Sequence, residues 1–103
     1  MDDLVQRLST GRHAVVAARA ESAAELKESI GRGYVLLTFA HTRGGTELGV
    51  VVDKERSTLG GADFANGQGV IQLVGRSILN DHAVELRADL DLATLRGDGG
   101  LST

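Results

Sequence analysis

The stretch Tyr34-Val35-Leu36-Leu37-Thr38-Phe39-Ala40-His41, followed by Leu48-Gly49-Val50-Val51-Val52-Asp53, decides the fold. Both runs are β-branched or apolar, and Thr42-Arg43-Gly44-Gly45-Thr46-Glu47 joins them. Its glycine pair accepts positive φ at no steric cost, so the two runs read as a β-hairpin. Neither alternates between apolar and polar. Tyr34, Leu36 and Thr38 oppose Val35, Leu37 and Phe39, while Leu48, Val50 and Val52 oppose Gly49 and Val51, so the sheet is apolar on both faces here. A folded protein rarely leaves so much apolar surface in water. The second face is covered by closure into a barrel, by a second copy packed sheet to sheet, or by a partner or ligand.

Toward the C-terminus, residues 55–69 hold Gly60, Gly61, Gly67 and Gly69 with Asp63 and Asn66, a density of turn formers that predicts a long irregular segment. Phe64 in this loop is expected to fold back over the core as a plug, the alternative being an anchor for a partner. Val70–Leu79 and His82–Leu92 then form a second, longer hairpin about Asn80-Asp81, a pair that tolerates left-handed backbone. Its last strand alternates, with Leu86, Ala88, Leu90 and Leu92 on one face and Glu85, Arg87, Asp89 and Asp91 on the other, the pattern of a sheet with one wet side. Ser77 fits a strand interior after a bulge at Gly75. Residues 96–103 have no period and read as a flexible tail.

Toward the N-terminus, Ser22-Ala23-Ala24-Glu25 is a capping box, and Ala23, Leu26 and Ile30 carry the apolar stripe of a helix that Gly31 and Gly33 stop. Residues 2–8 place Asp2 and Asp3 ahead of Leu4, Val5 and Leu8, which predicts a shorter helix closed at Gly11. Between the two, His13 to Arg19 is best read as a short strand. The expected fold is α+β: a largely antiparallel, four- to five-stranded curved sheet or partly closed barrel, with the two short N-terminal helices covering one face. Residues 1–95 form a single domain and 96–103 the tail.

Composition limits the chemistry. Leu, Ile, Val and Phe supply 29 of the 103 residues, enough apolar mass to exclude disorder. Proline and cysteine are absent, so no disulfide, thiolate nucleophile or Cys-ligated metal is available. A net charge of −3 disfavours a duplex nucleic-acid binder, whose phosphate contacts need clustered Lys and Arg. With no apolar run long enough for a bilayer and no basic leader, the chain reads as cytoplasmic and free of the membrane.

Motifs for catalysis are lacking. His13, His41 and His82 each sit at a strand end and no two are close in sequence, so no metal site is expected. Gly67-Gln68-Gly69 opens a strand where a phosphate fingerprint needs a helix. Asp89 and Asp91 share a face with Arg87 and read as cross-strand ion pairs rather than a catalytic pair. No catalytic residue and no cofactor are therefore assigned. The most suggestive polar group is the hairpin connection, where Arg43 rides on a glycine pair whose amides can hold an anion, with His41 and Asp53 flanking it as candidate ligand-binding residues.

The expected function is that of a small cytoplasmic, non-enzymatic binding or accessory protein that forms a homodimer. Its association surface is Val35, Leu37, Phe39 and Val51, with His41 and Arg43 as polar rim; a protein partner or small apolar ligand is the other occupant. The alternatives are a cofactor-free enzyme or small-molecule binder with its pocket inside a curved sheet, and an inhibitor-like partner that offers Glu85, Asp89 and Asp91 to a basic surface.

Overall fold

The computed structural model describes residues 3–42 and 44–103. Along the chain run α1 (Asp3–Leu8), β1 (His13–Val16), α2 (Ala23–Gly31), β2 (Tyr34–Phe39), β3 (Thr46–Val52), β4 (Val70–Leu79), β5 (His82–Asp91) and β6 (Arg96–Ser102). The six strands close into a barrel in chain order, each antiparallel to both neighbours, with β1 pairing β6. The four- to five-stranded sheet of the sequence reading is thus corrected to six strands, with closure complete. The sixth strand is the segment expected to be a flexible tail, which pairs with β5 from Glu85↔Ser102 to Asp91↔Arg96 and with β1 from His13↔Gly99 to Val16↔Arg96.

Glycine explains both the strand and its concealment. A Cβ on Gly97 would lie 1.7 Å from the Asp89 carbonyl oxygen, and one on Gly99 would lie 2.5 Å from that of Arg87, so β6 approaches β5 more closely than any side chain allows. The same glycines erase the apolar alternation by which a strand is recognised. At Gly75 a Cβ would meet Val50 Cγ1 and the Val51 carbonyl at 2.5 and 2.6 Å, yet the β4–β5 register runs unbroken past it from Val70↔Asp91 to Leu79↔His82. The expected bulge is absent; Gly75 serves close packing instead.

Closure sorts the two-sided hairpin. Val35, Leu37, Phe39, Leu48 and Val50 point inward and join Val15, Ile71, Leu73, Leu86 and Leu90 in one cluster. Both helices feed it: α1 through Val5 and Leu8, α2 through Ala23, Leu26 and Ile30. Ser22 caps α2 by accepting from the Glu25 amide at 3.2 Å, and Glu25 accepts in return from the Glu21 amide at 3.1 Å, one residue before the cap. The helix ends as its glycine predicts, with Gly33 at φ +85° donating to the Ile30 carbonyl. His13 ties α1 to β1, its Nε2 donating to the carbonyls of Arg7 and Thr10 while the ring meets Phe39 edge-on. No described helix is long and apolar enough to cross a membrane.

Two hydroxyls replace missing ladder bonds on β4. Its register with β3 comprises only Val51↔Arg76 and Val52↔Gly75. On one side of these pairs the chain leaves as a loop, and Ser57 Oγ accepts from the Val74 amide at 2.9 Å before Thr58 resumes pairing with Gln72. On the other side no further register pair joins β3 and β4, and Ser77 Oγ donates to the Gly49 carbonyl at 2.7 Å across the gap.

Candidate functional site

The structure separates the residues that the sequence placed together. Val35, Leu37 and Phe39 are inside the barrel and only Val51 is outside, so the four do not form one association surface. The reason is strand period: residue 51 has the opposite parity to its inward neighbours Val50 and Val52, and the first three pair with Val50, Leu48 and Thr46. His41 and Asp53 are likewise apart. His41 lies in the turn between β2 and β3 and Asp53 follows the far end of β3, so the full strand separates them, about 20 Å at the usual rise. Arg43 lies outside the described residues. The interior reserved for a ligand by the alternative reading is filled by the core side chains.

Asp53 has a different partner. Arg56 spans from Asp53, at 4.0 Å, to a direct bond with Glu85, which Arg87 also approaches at 3.4 Å. Asp53, Arg56 and Glu85 edge an outer groove of about 490 Å³ that Arg76, Ala83 and Thr103 also line. The rest of the expected acidic face is also occupied. Arg12 donates through Nε to Asp98 Oδ1 at 2.7 Å and through a terminal nitrogen to Asp89 Oδ2 at 2.8 Å. Asp89 and Asp98 are direct cross-strand partners, an arrangement that like charges destabilise, and Arg12 offsets it. The Asp98 hydrogen bond, with the charges of Asp98 and Asp89, raises the Arg12 pKa above its ordinary value. Asp91 Oδ1 accepts from the Ala93 amide. Each of the three acids is therefore engaged within the chain.

Beyond these ion pairs four large apolar side chains among the described residues are exposed, Val70 at the start of β4 and three that gather at the break between β3 and β4. Tyr34, Val51 and Ile78 are 51, 53 and 70% exposed. Tyr34 pairs with Val51, Val51 with Arg76, and Ile78 with Ala83, so all stand on neighbouring outward positions of four strands. The Tyr34 phenol lies over Gly49, where a Cβ would come within 1.9 Å of its oxygen. The groove these residues line has a volume of about 570 Å³. Glu47 stands at one end of it, bonded to Arg19 at 2.8 Å. Arg76 stands at the other, with no partner among the described residues.

Sequence reasoning missed Tyr34, Arg76 and Ile78, although a signal existed. The alternation of β5 fixes which face is outward, and a two-residue turn at Asn80-Asp81 pairs Leu79 with His82, which puts Ile78 opposite the outward Ala83. Among the described residues no three His, Asp or Glu side chains gather as a metal site. The chain matches no protein-family model and no curated protein sequence.

Proposed function

We propose that the protein is a cytoplasmic, non-enzymatic binding or accessory protein that self-associates through the outer face of β2, β3 and β4. The observation that carries this reading is the exposed group Tyr34, Val51 and Ile78 beside the interrupted β3–β4 ladder. Burying it removes apolar area from water and shields a stretch where strand pairing stops.

Charge favours a second copy as the occupant. Glu47 and Arg76 lie at opposite ends of the groove, four residues apart along the β3 register, or about 13 Å. A two-fold axis through the middle of the groove, near Gly49 and Ile78, brings Glu47 of each copy to Arg76 of the other, as a self-complementary interface requires. The test is light scattering on a sizing column over a dilution series, with the wild type beside Ile78→Glu. The expected result is a wild-type dimer and a monomeric variant that still melts cooperatively, since Ile78 lies outside the core; its midpoint falls only by the stability that association adds. A wild type that stays monomeric at every concentration overturns the reading.

A further inference from the structure

Asn66 and Gly67 lie in the loop between β3 and β4, where the chain turns back on itself through the bridge Asp63↔Gln68. The turn depends on Asp63. Its Oδ1 accepts from the Asn66 backbone amide at 3.1 Å and its Oδ2 from the Asn66 side-chain amide at 2.6 Å. Gly67 adopts φ +62°, a conformation that side chains rarely tolerate, so the turn needs glycine there. Glycine also puts no side chain beside the peptide bond that follows Asn66. A Cβ at position 67 would find nothing nearer than 3.9 Å, the Gly67 amide is held only by a long 3.4 Å bond to the Phe64 carbonyl, and Asn66 is exposed.

We propose that Asn66-Gly67 is a site of spontaneous deamidation that acts as a covalent switch on this loop. The Gly67 backbone nitrogen, having lost its proton to hydroxide, attacks Asn66 Cγ. The new N–Cγ bond forms as the Cγ–Nδ2 bond breaks, and Nδ2 leaves with a proton from water as ammonia. Water then opens the resulting succinimide at either carbonyl, giving aspartate or isoaspartate at position 66. No oxidant or reductant takes part.

The product reverses the chemistry that holds the turn. The side-chain donor to Asp63 Oδ2 becomes a carboxylate facing a carboxylate, and the isoaspartate form also adds a backbone methylene. The turn carries Phe64, which packs on the core and has the Lys27 ammonium 6.0 Å from its ring centre, so the change loosens the cover over the α2 end of the barrel.

The experiment uses the intact protein held at mildly alkaline pH and 37 °C, followed by tryptic mass mapping and hydrogen exchange. The chain's only asparagines, Asn66 and Asn80, fall in different tryptic peptides, 57–76 and 77–87. The expected result is a gain of about 1 Da confined to peptide 57–76 and abolished in Asn66→Gln, whose longer side chain disfavours the ring. Asn66→Asp should exchange faster over residues 63–69 while the barrel strands stay protected. An unmodified 57–76 peptide under conditions that modify the same peptide free in solution overturns the site; unchanged exchange in Asn66→Asp overturns the switch.

Discussion

At the residue scale, the tightest constraint is Gly97. Alanine there would drive a methyl group into the Asp89 carbonyl and the Leu90 Cα, both backbone, so relief requires moving a strand rather than turning a side chain. Gly97→Ala should cost about 2 kcal/mol or more, read as a drop in the urea midpoint. A variant within about 0.5 kcal/mol of the wild type would mean that β6 does not hug β5 as described. Asp63 makes a second prediction. Hydrogen bonds from the Asn66 side chain and backbone hold its pKa below the ordinary aspartate value. A carboxyl lowered on folding stabilises the turn at neutral pH, and that contribution is lost as pH falls through the lowered value. An NMR titration of Asp63 should therefore show a depressed midpoint that rises in Asn66→Ala; equal midpoints in the two proteins would remove Asn66 as the cause.

At the element scale, legibility followed side-chain content. The α2 helix carries its cap, stripe and glycine stop in adjacent residues, and β4 and β5 carry a turn pair flanked by alternation, so local chemistry specified them. The β6 strand could not be read this way, because Arg96-Gly97-Asp98-Gly99-Gly100 contains almost nothing that packs. Its place is dictated by the backbone of β5, whose partner residues run from Asp91 opposite Arg96 to Glu85 opposite Ser102 and leave no mark on β6 beyond the glycines. Removing residues 96–103 should accordingly abolish folding, since it opens the ladders to both β5 and β1 and exposes the core. Loss of near-ultraviolet and amide dispersion signals checks this; a truncated chain that keeps a cooperative melt would restore the tail reading. The candidate surface failed for a related reason. Parity within β2 and β3 was readable from the sequence, but which parity faced inward depended on a closure that the hairpin alone does not reveal.

At the scale of the whole molecule, the apolar second face had three candidate covers, and closure supplies the first. Closure does not remove the surface problem entirely, because Tyr34, Val51 and Ile78 remain outside where β3 and β4 stop pairing, and the proposed dimer addresses that remainder. The seam between β1 and β6 has a further consequence, concerned with time. His13 is in register with Gly99, so the first of the six strands to be synthesised shares its ladder with the last. Until β6 arrives, the nascent sheet has open edges and an apolar concave face, the condition in which chains pair wrongly with one another. Contacts so distant in sequence also form slowly. The greatest hazard for this protein thus falls during its synthesis, in the interval before four residue pairs complete the ring.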